Sequence, residues 1–303
     1  MARTANGLAP AQWGFVAPLR MPQRAAPMHL RTIANAKPRV IGSARQERKD
    51  VPHSLIPGAR TGYAVTQCVA FALFMSAAST AAAQTCSVAV DTGHTAGQPG
   101  AYSARGIPEF RFNLALAKAL HNALLAKDCE VTMVNEDGDI GALGNRTAEA
   151  GDARLFVSIH HDAVQPHYLQ KWEFEGAERH YSDRFSGYSL FVSRDNAFPG
   201  TSLQCASAIG AALQASGYAP SYYHAEPIPG ENRPFADRAN GVHYYDQLVV
   251  LHTAKQPAIL IEAGVIVNRE SEQMLAMPET RENIAQAIAK GIANCLTGRT
   301  QEQ

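Results

Sequence analysis

The sequence has no net charge and little cysteine, and both features limit the partners and the cellular compartment that can be expected for this protein. Its 27 basic and 27 acidic side chains cancel over 303 residues. The balance is uneven along the chain, because residues 1–60 carry ten Lys or Arg and only two acids, which leaves the remainder with a net charge of about −8. An acidic body repels phosphate, so this distribution does not suggest a nucleic-acid partner.

Charge is absent altogether from residues 64–83, which follow a basic leader at 1–63. The apolar centre of this stretch, from Cys68 to Ala78, is short for a membrane span, and its end matches an Ala-x-Ala cleavage pattern. We therefore predict a signal sequence cleaved near Ala83, export to the periplasm or the medium, and a catalytic domain at 84–303. The alternative is an uncleaved anchor that tethers the same domain to a membrane.

Only five cysteines occur, and one of them, Cys68, lies in the predicted signal. The other four are an even number in an exported chain and permit two disulfides. Cys86 and Cys129 each precede an apolar run that is typical of a parallel strand, so they are within bridging reach if the two strands are neighbours. Cys205 and Cys295, each on a predicted helix, then form the second pair. Four buried thiols are the alternative.

Short apolar runs alternate with helical periodicity through the rest of the chain, which indicates an α/β fold with parallel strands. Strands are predicted at 88–90, 129–135, 154–160, 188–193 and 257–262, and helices at 108–127, 144–150, 202–216 and 278–296. The long polar and aromatic segment Ala163–Gly187 is predicted to be an insertion beside the cleft that grips substrate, or else a solvated surface. Residues 219–240 are predicted to be a loop.

Three of these strands deliver a titratable side chain to their carboxyl end, where open α/β sheets place their ligands. The side chains are His94, His160 and Glu262. Glu109 lies in the first turn of the helix that follows His94, so it should lie over the same edge of the sheet. Two strand-end imidazoles and a nearby carboxylate are the ligand set of a catalytic zinc site, with a fourth position left open to water.

The sequence also predicts the surroundings or roles of three polar residues near these strand ends. Asn113 lies one helical turn after Glu109 and could hydrogen-bond whatever that carboxylate holds. His161 should point away from His160 in an alternating strand. Glu262 either forms a salt bridge, with Arg146 or Arg238 as partner, or acts as the general base that takes a proton from an attacking water.

Four segments carry a resemblance to a known family. They are Asp91-Thr-Gly-His94, Glu109-x-x-x-Asn113-Leu114, Leu155-Phe-Val-Ser-Ile-His160 and Pro257-Ala-Ile-Leu-Ile-Glu262-x-Gly-x-x-x-Asn268. In this order they resemble the four motifs of the zinc-dependent N-acetylmuramoyl-L-alanine amidases of bacterial cell walls. Each motif is weak by itself, but four in the right order are specific. The match runs from about Val88 to Leu296.

This resemblance implies a single α/β domain with a twisted, mostly parallel sheet, helices on both faces and one zinc ion at the carboxyl ends of the strands. It implies that His94, Glu109 and His160 hold the zinc and that Glu262 is the catalytic acid/base. The chain is expected to be a monomer. Its expected partner is peptidoglycan or soluble muropeptides. The residues expected around the ligands or on the substrate rim are Asn113, Arg146, His161, Asp162 and Asn268.

The chain departs from the family pattern at four positions. Thr92 replaces the usual Pro, Val265 the usual Phe, and His161 and Asp162 the usual small residue and Asn. These departures change the substrate rim rather than the zinc ligands. A zinc carboxypeptidase-like peptidase and a non-catalytic wall-binding or activator protein are the alternatives. A purely structural zinc would normally take a fourth protein ligand, and no motif contains Cys.

Overall fold

The computed structural model describes residues 86–298, and the predicted leader and signal sequence lie outside this range. Within the range, no helix is long and apolar enough to cross a membrane. In chain order the elements are β1 (Ser87–Thr92), α1 (Glu109–Leu125), β2 (Glu130–Val134), α2 (Leu143–Glu149), β3 (Leu155–Asp162), β4 (Gln170–Phe174), β5 (Ala177–Tyr181), β6 (Ser189–Val192), α3 (Pro199–Ala215), β7 (Phe235–Asp237), β8 (Val242–Tyr244), α4 (Val249–His252), β9 (Ala258–Val265), α5 (Arg269–Ala276) and α6 (Pro278–Leu296).

Seven of these strands form one sheet in the order β2-β1-β3-β9-β6-β8-β7. The pairs β1–β2, β1–β3, β3–β9 and β6–β8 are parallel, and the pairs β6–β9 and β7–β8 are antiparallel. The predicted mostly parallel sheet is therefore confirmed. Because β1, β3 and β9 run in the same direction side by side, their carboxyl ends meet at one edge of the sheet.

Apolar side chains cover both faces of the sheet, which explains why its strands are continuous apolar runs. On one face Val90 and Ile259 belong to a core that includes Leu116 of α1 and Ile288 of α6. On the other face Phe156 packs in a smaller core with residues of α4. Each fully buried Leu, Ile or Phe contributes about 1.5–3 kcal/mol. The predicted helices on both faces are confirmed.

Both predicted disulfides are present, so none of the four described cysteines is a free thiol. Cys86 and Cys129 join the beginnings of β1 and β2, with their Cα atoms 4.6 Å apart. Cys205 of α3 and Cys295 of α6 form the second bridge, with Cα atoms 5.1 Å apart. The first pairing follows from the register, because Ser87 of β1 pairs with Glu130 of β2.

The insertion predicted at 163–187 contains the antiparallel hairpin β4–β5. Its turn is Glu175-Gly176, and both residues have positive φ, as a two-residue hairpin turn requires. Its aromatic residues alternate with charged ones, the pattern of a strand with one covered face. Trp172 donates from Nε1 to the carbonyl of Ala104 at 3.0 Å, and Arg269 lies over the ring of Tyr181. These contacts fix the hairpin against the loop before α1 and against the start of α5.

Candidate metal centre

The two strand-end histidines lie side by side. Thr92, the last residue of β1, pairs with Ile159 of β3, so the chain reaches His94 and His160 at the same level of the sheet. The Gly93 amide donates to the Ile159 carbonyl at 3.0 Å and holds the β1 turn against β3. The two imidazole rings are 4.9 Å apart between centroids and nearly perpendicular. His94 follows the end of β1, as the sequence predicts, whereas His160 lies within β3, two residues before its end.

Glu109, the first residue of α1, contacts both histidines. Its Oε2 lies 3.0 Å from Nε2 of His94, and its Oε1 lies 3.2 Å from Nδ1 of His160. The Ala101 amide donates to Oε2 at 3.0 Å, and Nδ2 of Asn113 donates to Oε1 at 3.1 Å. Burial by itself would raise the pKa of Glu109, but the two histidines outweigh it and hold the pKa well below its usual range.

These three side chains fit a divalent metal. One donor atom from each of His94, Glu109 and His160 lies within 4.8 Å of the others. Neighbouring donors of a tetrahedral zinc are separated by roughly 3.3 Å, since each lies about 2 Å from the ion. The donors are two imidazole nitrogens and a carboxylate, and all described cysteines are in disulfides. Three protein ligands leave a coordination position open, as in catalytic zinc sites.

Two glycines leave the room that this arrangement needs. A Cβ added at Gly93 would lie 2.3 Å from Nε2 of His160. A Cβ added at Gly100 would lie 2.3 Å from Oε2 of Glu109, and Gly100 also has a φ of +77° that other residues rarely adopt. The backbone therefore approaches His160 and Glu109 more closely than a residue with a side chain would allow.

For the zinc site expected from the sequence, Gly93→Ala should lower zinc affinity by roughly 10- to 100-fold, the range found when the surroundings of metal ligands are disturbed. The added methyl group overlaps the His160 ring, which must turn away from the other two ligands. Zinc affinity measured by competition with a chelator checks this expectation. Gly97→Ala is the matched control, because no atom lies within 4 Å of a Cβ added there. Equal affinities in the two variants would contradict the prediction.

The backbone of His94 is held in a left-handed conformation, with φ +66°. Its carbonyl accepts hydrogen bonds from Nη2 of Arg146 at 2.5 Å and from Nδ2 of Asn135 at 2.7 Å. Arg146 also donates to the Thr92 carbonyl at 2.9 Å and lies 3.5 Å from Asp91. Arg146 therefore fixes the turn that presents His94. Asn135 was not among the predicted site residues, although its position at the end of a strand was a possible signal.

Asn113 connects His161 to the metal-binding group. Its Nδ2 donates to Glu109 and, at 3.2 Å, to the Gly93 carbonyl. Its Oδ1 therefore accepts, and the partner at 2.8 Å is Nδ1 of His161, which must carry a proton. Burial lowers the pKa of His161 to about 4. His161 lies behind the ligands, and its backbone amide donates to Oε1 of Glu109 at 3.3 Å.

Glu262 lies on β9 beside His160, its register partner on β3. Its Oε2 is buried and has no hydrogen-bond partner within residues 86–298. Neither proposed arginine pairs with it, because Arg146 contacts Asp91 and Arg238 lies over the rings of Tyr222 and Phe235. Burial raises the pKa of Glu262 well above its usual range, and the negative charges of Asp162 and Glu109 raise it further. A buried carboxyl group with a raised pKa, beside side chains that could hold a metal, is typical of a proton-transfer residue.

Asp162 belongs to a buried network whose other members the sequence did not reveal. Its Oδ2 lies 2.8 Å from Nε2 of His224, and Nδ1 of His224 lies 2.8 Å from Oε2 of Glu231. Nε2 of Gln165 donates to the same carboxyl group of Glu231 at 2.8 Å, and its backbone amide donates to the hydroxyl of Tyr223 at 2.6 Å. The network holds two loops together at the end of β3. No spacing motif connects its members.

His224→Gln is expected to lower the melting temperature at pH 7, by an amount that shrinks as the pH rises through about 10. Burial by itself would lower the pKa of His224, but Asp162 and Glu231 raise it to about 10. A raised pKa contributes stability that is complete below the unfolded value of about 6.5 and is lost as the pH passes the folded value. Melting curves between pH 6 and 10.5 measure the effect. The exposed His180→Gln is the control, and an unchanged deficit at all pH values would contradict the prediction.

Asn268 lies at the start of α5 and caps that helix. Its Oδ1 accepts from the amides of Glu270 at 3.1 Å and Ser271 at 2.9 Å, and its Nδ2 donates to the Phe185 carbonyl at 3.1 Å. Its side chain thus binds the backbone of α5 and the backbone of the segment after the hairpin. The cap places α5 and the segment after the hairpin relative to each other.

Comparison with known proteins gives one family and a consistent fold. A family model described as N-acetylmuramoyl-L-alanine amidase matches residues 88–294. The crystal structure of an N-acetylmuramyl-L-alanine amidase from Mycobacterium smegmatis is similar, with 24% identity, a TM-score of 0.57 and coverage of 72% of this chain and 99% of that one. An N-acetylmuramoyl-L-alanine amidase from Clostridium difficile 630 has 21% identity and a TM-score of 0.55, covering 72% and 100%.

The catalytic domain of an N-acetylmuramoyl-L-alanine amidase from Bacillus (Paenibacillus) polymyxa var. colistinus is a third example, with 24% identity, a TM-score of 0.52 and coverage of 69% and 96%. No curated protein matches the sequence significantly. The identities to solved structures are low, so these structures establish a shared fold.

Proposed function

Because the chain belongs to the N-acetylmuramoyl-L-alanine amidase family, we propose that it hydrolyses the amide bond between N-acetylmuramic acid and L-alanine in peptidoglycan. The observation that carries the proposal is the convergence of His94, Glu109 and His160, with their donor atoms within 4.8 Å of one another, beside the unpaired carboxyl group of Glu262. These are the residues that an amide hydrolase of this kind needs at one place.

We assign zinc to this group, one ion per chain, with His94, Glu109 and His160 as its ligands. Bound zinc supplies Lewis-acid chemistry, polarising the scissile carbonyl and lowering the pKa of water towards about 7. The protein orients the ligands in advance. Asn113 and the Ala101 amide hold the two oxygens of Glu109, and Arg146 holds the backbone of His94.

Glu262 is the catalytic acid/base in this proposal. Its carboxyl group accepts a proton from the attacking water and then donates that proton to the departing amine of the alanine. The two tasks require a group that exchanges a proton readily near neutral pH. The raised pKa of Glu262, caused by burial and by the carboxylates of Asp162 and Glu109, suits this exchange better than an ordinary glutamate would.

Export is part of the proposal. We propose that residues 64–83 direct the chain to the periplasm or the medium, that cleavage occurs near Ala83, and that 84–303 is the mature catalytic domain, acting as a monomer. Two disulfides within the described range support an oxidising compartment, because such bonds are rare in reducing cytosol.

Mass spectrometry of the products from a defined muropeptide, with and without a chelator, tests the bond, the metal and the substrate together. The expected products are a free peptide that begins with alanine and a sugar that keeps its lactyl carboxylate, and the chelator should abolish both. Simple peptides without the sugar are the control. Cleavage of those peptides with no release from muropeptides would overturn the proposal in favour of a peptidase.

A further inference from the structure

Asp162 lies on the same face of the sheet as His160 and Glu262. Successive side chains of a strand alternate between its two faces, so Asp162 shares the face of His160, two residues earlier on β3. His161 points to the opposite face, where its ring contacts Asn113 of α1. Glu262 is the register partner of His160 and therefore also lies on the first face. The carboxyl group of Asp162 is thus a neighbour of the proposed acid/base.

The pairing of β3 with β9 contains a β-bulge directly after Glu262. Between the pair His160–Glu262 and the pair Asp162–Val265, β3 advances by two residues and β9 by three. The amide of Ile266 donates to the carbonyl of Asp162 at 2.9 Å, which fixes the backbone of Asp162 beyond the bulge. Bulges next to active sites redirect side chains. After burial, the charge of Asp162 is the largest cause of the raised pKa of Glu262, as expected for two neighbouring carboxyl groups.

The ring of Phe191 places His224 on this face as well. Phe191 of β6 pairs with Leu260, two residues before Glu262, so these three side chains share one face of the sheet. The ring of His224 lies 4.8 Å from that of Phe191 between centroids. His224 therefore approaches Asp162 from the side of the proposed acid/base.

His224 holds one oxygen of Asp162 and leaves the other without a partner. Nε2 of His224 lies 2.8 Å from Oδ2 of Asp162, and Nδ1 lies 2.8 Å from Oε2 of Glu231. Because carboxylates accept hydrogen bonds, both ring nitrogens carry protons and donate. Within residues 86–298 nothing donates to Oδ1 of Asp162, and this oxygen is not among the fully buried unpaired atoms. The side chain is 8% exposed, so Oδ1 remains accessible.

We propose that Asp162 contacts the substrate, with its Oδ1 accepting a hydrogen bond from the N–H of the scissile amide. The departing amine keeps this hydrogen bond while it takes up the proton from Glu262. His224 is the positioning residue that occupies Oδ2 and thereby directs Oδ1. The inference rests on the proposed function, because the amide bond to alanine supplies the N–H. A carboxylate at this position, where the family usually has Asn, can only accept, and it therefore favours a substrate that donates.

The test replaces the scissile amide of a muropeptide by an ester, with lactate in place of alanine, which has no N–H and releases no amine. Asp162→Asn should lower kcat/KM for the amide by about 10- to 100-fold, the usual cost of losing a hydrogen bond to a charged group. The value for the ester should stay within about threefold. The introduced carboxamide turns its oxygen towards the protonated ring of His224 and its NH₂ group towards the substrate, where it cannot accept.

Asp152→Asn is the matched control, because it makes the same change at an exposed residue before the start of β3. It should alter neither substrate. His224→Gln should also lower kcat/KM for the amide more than for the ester, because Asp162 then loses the donor that directs it. Equal losses on both substrates in this variant would show that His224 has a structural role only.

An unchanged amide value in Asp162→Asn, or an equal loss on amide and ester, would overturn the proposed contact. Melting curves establish that the variants are folded at the assay temperature. Should Asp162→Asn not fold, the amide and ester values of His224→Gln decide in its place.

A binding measurement separates this proposal from the proposed function. If the native protein does not cleave the amide, the proposed function fails, and binding of alanyl-glycine followed by NMR decides on the contact. The free amino group of this dipeptide stands for the departing amine. Binding that is a few-fold weaker in Asp162→Asn than in the native protein and in Asp152→Asn supports the contact. Equal binding to all three proteins overturns it.

Discussion

Glu262→Gln is expected to lower kcat by about 10²- to 10⁴-fold, the usual contribution of a general acid/base, while the zinc content stays at the native level. The amide keeps the size of the carboxyl group but cannot exchange a proton. Glu262 is not one of the three grouped metal-binding residues, so its loss should leave them in place. Steady-state kinetics on a muropeptide and metal analysis of the same sample measure both quantities.

Two further variants sharpen this expectation. Glu262→Ala should lose turnover and keep zinc in the same way, which separates the missing proton exchange from any effect of the introduced amide. Glu130→Gln changes an exposed carboxyl group on β2 and should leave kcat unchanged. A Glu262 variant that still cleaved near the native rate would place the acid/base at another residue.

Glu109→Ala is expected to empty the metal site and reduce activity to the background level. Its carboxylate lies between the two imidazoles, so its removal takes away one ligand and the hydrogen-bonding partner of both rings. Changing a residue that only supports a ligand costs about 10- to 100-fold in metal affinity, and losing a ligand should cost more. Metal analysis after dialysis should find about one zinc per chain in the native protein and almost none in the variant.

Asn113→Ala provides a graded comparison, because Asn113 holds the carboxylate without being a ligand. We expect its zinc affinity to fall between those of the native protein and Glu109→Ala. The melting temperatures indicate whether both variants are folded. A full complement of zinc in folded Glu109→Ala would show that the carboxylate is not a ligand and would remove the basis of the assigned site.

The parts of the site that could be predicted are those in which sequence neighbours determine the geometry. Each apolar run has a length and a boundary, so the positions of His94, His160 and Glu262 towards the carboxyl ends of parallel strands could be predicted, although β3 and β9 continue past His160 and Glu262. The register that makes Glu262 the neighbour of His160 was not visible in the sequence, but the strand order that it requires is common in α/β sheets. The first disulfide followed from the same reasoning.

The remaining parts depend on contacts between distant segments. His224 and Asp162 are 62 residues apart, and no local pattern in the irregular segment around His224 announces their ion pair. The side-chain amide of Asn135, just after β2, donates a hydrogen bond to the carbonyl of His94. Aromatic and charged residues alternate in the hairpin β4–β5, which is a strand pattern, but the polar composition of the segment favoured an irregular insertion. Such features become visible only when packing has fixed the partners.

The bridge between Cys86 and Cys129 lies at the amino end of β1, whereas the candidate site lies at its carboxyl end. The two are separated by one six-residue strand, or about 20 Å. Reductants should therefore shorten the lifetime of the folded enzyme long before they disturb its chemistry. The disulfide that stabilises the fold and the side chains of the candidate site therefore lie at opposite ends of β1, so we expect that one can be changed by mutation without altering the other.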